Sequence, residues 1–185
     1  FFSPEDLQII KDGPGERRRF LDLELCQLGK VYLVQLTNYN KILNQRNKLL
    51  RDLAFSPELM PTLEVWDEQL LSYGSEIITA REEFVAQLNE IIKEIHRNLT
   101  GEREQLELIY EPNVRREDFA AVLRKNREKD IRFKMSSVGP HRDDLCVKVN
   151  GIDIRKFGSQ GQQRTAALSL KLSEIYLVKR MIHDT

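Results

Sequence analysis

The stretch "FGSQGQQRTAALSLKLSE", residues 157–174, joins a run of small and amide residues to a periodic helical pattern. Residues 158–163 carry no large apolar side chain, and the apolar positions begin at Ala166 and Leu170. The pattern predicts a helix that begins at about Gln162, with the small-residue loop at its N-terminus. A helix N-terminus exposes unpaired N–H groups, and glycines let the backbone approach a ligand closely. The stretch therefore indicates a binding loop for an anion such as phosphate.

The side chains of this loop are donors of the kind an anion requires. Ser159 offers a hydroxyl, Gln162 and Gln163 offer uncharged amide donors, and Arg164 places a cation in the first turn. A simpler interpretation is a glycine–serine linker in which Ser159 only caps the helix. Composition alone leaves both interpretations open.

The totals limit the class of protein. With 185 residues, 41% of them apolar, the chain has enough length for one domain or two small ones. Its 29 basic and 29 acidic residues leave no net field, so any nucleic-acid contact must be a local patch. Cys26 and Cys146 lie far apart without metal-ligand spacing, which favours a reducing, cytoplasmic setting. We find neither a secretion signal nor an apolar run of the ~18 residues that a membrane helix needs.

The first half of the chain has the pattern of long packed helices. Residues 29–53 place apolar side chains at alternating steps of three and four, with Arg46 interrupting the series. Pro57 and Pro61 then end this helix. A second periodic run starts at Leu63 and can extend to Leu99. We expect these helices to form an elongated antiparallel helical arm.

The second half predicts shorter elements. "LELIY" before Pro112 is typical of a strand, "EDFAAVLRKNR" of a helix, and residues 132–136 alternate weakly like a further β-segment. "LCVKVNGIDI" contains two short β-rich runs around Asn150 and Gly151, a pair that favours a tight type I′ hairpin. The predicted fold class is therefore α+β and predominantly α-helical.

The segment "GPHRDDL", residues 139–145, contains metal-ligand residue types. His141, Asp143 and Asp144 do not have the spacing of a rigid metal site on one element, so we expect no metal there. A turn in which Arg142 pairs with Asp143 or Asp144 is the preferred interpretation.

Two further histidines, His96 and His183, fall on predicted helices beside charged residues. We expect both to be solvated or half-buried and without function. The sequence suggests no Ser/His/Asp or Cys/His catalytic constellation, so no catalytic residue is predicted.

Basic residues are concentrated in two places. "ERRRF" contains three consecutive arginines, and residues 115–134 contain eight basic residues against four acidic ones. Such runs are usually solvated faces, and contact with DNA phosphates is the functional alternative. The candidate DNA-binding residues are Arg17, Arg18, Arg19, Arg124, Lys125 and Arg127.

Four ordered blocks resemble one known family. "GSQGQQR" is similar to the ABC ATPase signature, with Gln160 in place of its first glycine. Together with "SPEDLQIIKDGPGERRRFLD", "NKILNQRNKLL" and "GPHRDDL", it closely resembles the RecF family of bacterial DNA replication and repair proteins, which is related to SMC and ABC-type ATPases. The resemblance runs over essentially the whole chain.

The resemblance implies a fragment of a larger ATPase. It implies that residues 1–13 end the first lobe of the ATPase head, residues 14–130 form the helical arm domain, and residues 131–185 form the signature-motif lobe with a β-hairpin and the signature helix. The sequence contains no GxxxxGK[ST] loop, the Walker A motif, and its signature helix is not followed by a strand ending in the paired acidic residues of Walker B. The complete protein is therefore expected to be a weak DNA-dependent ATPase, and the chain alone is expected to be inactive.

In ABC-type dimers, the signature loop of one subunit contacts ATP that the Walker A loop of the other subunit holds. The resemblance implies contacts to the γ-phosphate from Ser159, Gly161 and Gln162, with Gln163 and Arg164 supporting the helix start. The side chain of Gln160 would replace a lost backbone contact. Mg²⁺ ligands would lie outside the chain.

The resemblance also implies the partners and the process. These are single- and double-stranded DNA at gap junctions, RecR- and RecO-like proteins, and a second copy in an ATP-dependent homodimer that assists recombinase loading in DNA repair and the SOS response. The alternative from a different class is a non-ATPase helical interaction module with a capped glycine-rich linker.

Overall fold

The computed structural model describes residues 2–183. Its helices are α1 (Gln8–Lys11), α2 (Pro14–Leu28), α3 (Lys30–Asp52), α4 (Thr62–Leu99), α5 (Phe119–Lys125), α6 (Arg127–Phe133), α7 (Ile154–Phe157) and α8 (Gln160–His183). Its strands are β1 (Leu106–Glu111), β2 (Asp144–Val149) and β3 (Ile152–Asp153). Short 3-10 turns lie at Pro4–Leu7, Pro57–Leu59, Arg116–Asp118 and Pro140–Arg142. The α+β, predominantly helical fold class is confirmed.

The described residues divide into two compact units. The sheet unit comprises residues 2–28, 81–111 and 144–183, and the helical unit comprises residues 29–80 and 112–143. The helix α4 contributes its first half to the helical unit and its second half to the sheet unit. The boundaries of these units differ from the domain boundaries predicted after residues 13 and 130. Compact units and domains need not coincide, so the predicted domain boundaries stay a prediction.

The sheet unit is organised around an antiparallel sheet in the order β1-β2-β3. Strand β1 pairs with β2 from Leu106 opposite Val149 to Glu111 opposite Asp144. The turn between β2 and β3 has φ of 50° at Asn150 and 78° at the glycine that follows. Both values are positive, as a type I′ turn requires, so the predicted hairpin is confirmed.

The helices α2, α4 and α8 contribute buried residues to the sheet unit. Leu21 of α2 and Leu88 and Ile92 of α4 are completely buried. On α8, the buried positions are occupied largely by small residues, and their side chains allow a close approach of neighbouring elements. These small buried residues are Ala166, Ala167, Ser169 and Ser173.

The helical unit has an apolar cluster and a buried ion-pair network. Leu49, Leu50, Leu53 and Leu63 form the cluster, against which two partly buried residues, Trp66 and Ile131, pack. The two predicted long helices are confirmed, with α3 ending before Pro57 and α4 ending at Leu99.

Arg46, which interrupts the apolar series of α3, is fully buried in this unit. Its guanidinium donates to Asp67 at 2.7 Å, to Asp130 at 2.8 Å and to the hydroxyl of Ser136 at 2.8 Å. Arg46 interrupts the apolar series because it forms buried ion pairs that connect α3 to α4 and to α6. The partners lie 21 to 90 residues away in sequence, so the pattern of α3 alone does not reveal them.

Of two expectations about residues 112–143, one is confirmed only in part and the other is wrong. The segment predicted as one helix is divided into a 3-10 turn, α5 and α6, because the chain leaves helical geometry at Asn126. Residues 132–136 do not form a β-segment, since α6 continues to Phe133 and Lys134 then adopts a left-handed conformation with φ of 58°.

The expected ion pair of Arg142 is also wrong. Asp144 is held by Arg17 and Arg155, at 2.6 Å and 2.9 Å. Asp143 accepts from the backbone N–H of Asn113 at 2.8 Å. Both carboxylates thus face partners that are distant in sequence, while Arg142 contacts the sulfur of Met135 at 3.6 Å.

Candidate functional site at the start of α8

The chain enters α8 through a glycine that no other residue can replace without displacement. A Cβ at Gly158 would lie 2.6 Å from the Cβ of Ile154 and 2.7 Å from its carbonyl oxygen. The backbone N–H of Gly158 donates to that same carbonyl at 3.2 Å, which closes the short helix α7. The carbonyl also accepts from the side chain of Gln163 at 2.9 Å. These contacts set the direction in which α8 begins.

Ser159 and Gln162 cap the helix reciprocally. The backbone N–H of Gln162 donates to the Ser159 hydroxyl oxygen at 3.1 Å, and the backbone N–H of Ser159 donates to the Gln162 side-chain carbonyl at 3.0 Å. This is a capping box, in which two otherwise orphaned donors are satisfied. Ser159 therefore caps the helix, and α8 starts two residues before the expected position.

The helix start nevertheless offers unused donors to solvent. Ser159, Gln160, Gly161 and Arg164 are all exposed. The backbone N–H groups of Gln160 and Gly161 have no acceptor among residues 2–183, and a Cβ on Gly161 would meet only the Ser159 hydroxyl, at 3.9 Å. Arg164 makes no ion pair with any described residue.

Capping and anion binding are chemically compatible at Ser159. A serine hydroxyl has one O–H donor and two acceptor lone pairs. The cap uses Ser159 as an acceptor, so its O–H remains available to donate to a phosphate oxygen. The exposed N–H groups and the positive end of the helix dipole favour an anion at the same place. The structure therefore brings four of the predicted contact residues to one surface, with Gln162 and Gln163 half-buried behind it.

The candidate DNA-binding residues fall into different environments. Arg17 is buried, and its guanidinium donates to Asp144 and to the carbonyls of Ile9 and Asp12 at 2.6 to 3.0 Å. It is a buried residue of the sheet unit whose donors are engaged within the protein, which disfavours its predicted contact with DNA. The sequence hides this because Asp144 lies 127 residues away.

The remaining candidates are more accessible. Arg18 is half-buried and Arg19 is exposed on α2. Arg124 and Lys125 are exposed at the end of α5 and make no ion pair with a described residue. Arg127 donates to Asp67 at 2.8 Å, which reduces its availability for a phosphate. Their contact with DNA stays a prediction.

A serine, a histidine and a glutamate meet inside the sheet unit, although the sequence suggested no such constellation. His96 is completely buried, with its Nδ1 2.8 Å from the Ser169 hydroxyl and its Nε2 2.9 Å from a Glu104 carboxylate oxygen. The expectation that His96 is solvated or half-buried is wrong. Ser169 is also completely buried and bonds the Thr165 carbonyl, so no substrate reaches its oxygen. The arrangement is a structural clamp between α4 and α8.

A second cluster lies between α2 and α8. Burial, and then the charge of Glu174, raise the pKa of Glu24 to about 7, while Lys171 acts in the opposite direction. Burial also raises the pKa of Glu174. Lys171 lies 3.5 Å from Glu174 and 3.6 Å from Asp6.

Among the described residues, no group of three or more metal-ligand residues is arranged to hold a metal ion.

Comparison with curated proteins identifies close relatives, although no family model matches the chain. The chain is 60% identical over 185 residues to the DNA replication and repair protein RecF of Agathobacter rectalis, covering all of this chain and 51% of that protein. It is 60% identical over 187 residues to RecF of Lachnospira eligens, covering 52% of that protein. RecF of Lachnoclostridium phytofermentans is 56% identical over 184 residues. The chain spans about half the length of the curated relatives it matches.

Solved structures give the same result. A structure of the recombination mediator protein RecF-ATPrS in the RecFOR pathway is 38% identical, with a TM-score of 0.91 over 97% of this chain and 50% of that one. The RecF-ATP structure of the same pathway is 38% identical, with a TM-score of 0.90 over 96% of this chain. The resemblance to RecF is thereby confirmed over the whole chain, which corresponds to about half of RecF. Within residues 2–183, we find no helix with the length and apolar character to span a membrane.

Proposed function

We propose that the chain is the part of a RecF-type DNA repair protein that completes an ATP site through the start of α8. The observation that carries this proposal is the exposed helix N-terminus at residues 159–164, where unpaired N–H groups, a hydroxyl and a cation face solvent together. Support comes from the 60% identity to proteins named DNA replication and repair protein RecF. The similar solved structures are of RecF with ATP and ATPrS.

The proposed mechanism is contact with ATP in trans. The Ser159 O–H and the backbone N–H of Gly161 contact the γ-phosphate of a nucleotide held by the second subunit, while Gln162 keeps the helix start in place through the capping box. Arg164 adds positive charge one turn into the helix. The side chain of Gln160, exposed and without a partner among the described residues, reaches the same anion. ATP then acts as the bridge of a homodimer, with Mg²⁺ held by residues outside the chain.

The wider role follows from the RecF resemblance. We propose that the dimer binds single- and double-stranded DNA at gap junctions, works with RecR- and RecO-like proteins in the cytoplasm, and assists recombinase loading. As an enzyme, the complete protein is a weak DNA-dependent ATPase, whereas residues 1–185 alone have no turnover, since they contain no Walker A sequence.

A chimera tests the contact in trans. Residues 1–185 replace the matching segment of the Agathobacter rectalis protein, which is 60% identical, and Ser159→Arg is introduced. We expect the variant to bind ATP as the parent chimera does, because Walker A is intact. It should fail to dimerise with a slowly hydrolysed ATP analogue, because the arginine side chain occupies the place of the phosphate. Gel filtration and a nucleotide titration measure the two properties separately.

The matched control is Ser72→Arg, which places the same side chain at an exposed serine of α4. A normal ATP-dependent dimer of Ser159→Arg would remove the start of α8 from the ATP site. Tight ATP binding by residues 1–185 alone, measured by isothermal titration, would contradict a site divided between two subunits. Absence of any ATP effect on the parent chimera would favour the alternative, a helical interaction module whose capped loop binds no nucleotide.

A further inference from the structure

A groove with basic walls opens on the helical unit, outside the start of α8. Its volume is about 530 Å³, and its lining includes Asn113, Lys129, Phe133, Met135 and Arg142. All of these residues belong to residues 112–143 of the helical unit. The groove thus combines two long cationic side chains with an aromatic ring and a thioether.

The end of α6 places the aromatic ring in this groove. The left-handed conformation of Lys134 ends the helix directly after Phe133, whose exposed fraction is 61%. Met135 is 46% exposed. The next residue, Ser136, turns inward and holds Arg46 at 2.8 Å. The buried network thus anchors the chain on one side of the turn and leaves Phe133 and Met135 facing outward.

The positive charges around the groove are not neutralised by any ion pair within residues 2–183. Lys129, Arg132, Lys134 and Arg142 make no ion pair with any described residue. The carboxylate that lines the groove, Asp130, is fully engaged: Arg46 bonds one oxygen at 2.8 Å, and the backbone and hydroxyl of Ser137 bond the other. The groove therefore has a net positive charge that an anionic ligand is suited to neutralise.

We propose that this basic groove binds single-stranded nucleic acid, with an unpaired base stacked on Phe133 and flanking phosphates contacting Lys129 and Arg142. Stacking platforms flanked by cations are the general means by which proteins hold single strands. A duplex keeps its bases stacked on one another, so an exposed phenyl ring adds nothing to duplex binding. The sulfur of Met135 and the ring of Phe133 form the apolar wall against which the base packs. This inference deepens the DNA-binding part of the proposed function and rests on it, but it does not involve the ATP site.

The test measures binding of the 185-residue chain to a fluorescein-labelled oligothymidylate and to a blunt duplex of equal length, by fluorescence anisotropy at low salt. Phe133→Ala should weaken single-strand binding by about tenfold, because one stacked base is lost, and should leave duplex binding unchanged. Phe133→Trp should retain single-strand binding, since the indole also stacks. The matched control Phe55→Ala removes a phenyl ring that is 87% exposed elsewhere in the same unit and should have no effect.

The cations have their own measurement. The double variant Lys129→Gln with Arg142→Gln should reduce the slope of log K against log salt by about 1.4, since each phosphate contact to a single strand contributes about 0.7. Lys41→Gln with Lys48→Gln removes two exposed charges from α3 and serves as the control of equal charge change. A slope that changes equally in both double variants would show a diffuse charge effect and overturn the proposal.

Three other outcomes would also overturn it. The first is that oligothymidylate does not bind at low salt. The second is that Phe133→Ala binds oligothymidylate as tightly as the parent chain does. The third is that polyglutamate displaces the oligonucleotide equally well from the parent chain and from Phe133→Ala. The last result would indicate an acidic protein partner instead. The ATP contact is tested separately, by ATP-dependent dimerisation of the Ser159→Arg chimera. A negative result for the basic groove can therefore be distinguished from a negative result for the ATP contact.

Discussion

The Nδ1 atom of His96 on α4 lies 2.8 Å from the hydroxyl oxygen of Ser169 on α8, and both side chains are completely buried. The hydroxyl also bonds the Thr165 carbonyl at 3.0 Å, so this contact joins the long helix to the helix that begins at the candidate ATP site. Since buried polar groups in contact share their hydrogen bonds, removing one partner leaves the others unsatisfied.

We therefore expect His96→Leu to lower the free energy of unfolding by about 1–3 kcal/mol. The loss has two sources: Glu104 loses its 2.9 Å partner, and Ser169 loses one of its two. Urea denaturation followed by circular dichroism measures the change. His183→Leu, on the exposed end of α8, is the control and should have little effect. Equal stability of the two variants would show that the clamp contributes nothing.

Arg46→Met should be more damaging than any surface change in the helical unit. The substitution leaves Asp130 and Asp67 buried with fewer positive partners, and breaking a buried ion pair costs about 3–5 kcal/mol. The control is Arg51→Met, the same substitution at an exposed position of the same helix. If both variants unfold at the same urea concentration, the network of Arg46 is not a stabilising contact.

The capping box predicts a ranking of variants at Ser159 in the unligated chain. Ser159→Ala should lower stability by about 1 kcal/mol, and Ser159→Gly by only a few tenths, because glycine at a helix cap allows water to reach the orphaned N–H groups. Thermal melting of the chain without nucleotide measures both. A smaller loss for alanine than for glycine would contradict the cap that Ser159 and Gln162 form.

Glu24 predicts a pH dependence of stability. Its pKa is raised from 4.5 to about 7, so between these values the folded chain holds a proton that the unfolded chain releases. The contribution of Glu24 to stability is thus fully present below about pH 4.5 and is lost as the pH rises through about 7. Glu174, whose pKa is also raised, acts in the same direction.

Glu24→Gln removes the charge that burial disfavours. Above pH 7 the variant should melt at a higher temperature than the parent chain, and the difference should shrink as the pH approaches 4.5. Thermal melts across this range provide the measurement, with Glu83→Gln, an exposed carboxyl on α4, as the control. A difference in melting temperature that is independent of pH would show a packing effect rather than a titration.

Local signals in the sequence were sufficient for part of the fold. The periodic series of α3 and α4, the prolines between them and the Asn150-Gly151 turn each depend on neighbouring residues, and each element was found where it was predicted. The predicted helix over residues 117–127 was confirmed only in part, because the chain leaves helical geometry at Asn126. The loop before α8 was predicted to bind an anion because of its small residues, and the donors that it exposes are of the kind this prediction requires.

The sequence by itself determined the long helices α3 and α4, the Asn150-Gly151 hairpin and the resemblance to RecF, because each is a matter of short-range pattern or of matching residue order. Only the tertiary structure decided which polar residues are buried. Arg17, Arg46 and His96 are of residue types that are rarely fully buried, yet each has a hydrogen-bond partner inside the protein that lies 127, 84 and 73 residues away, respectively. A charged side chain is buried only when folding delivers such partners, and no local pattern carries that information.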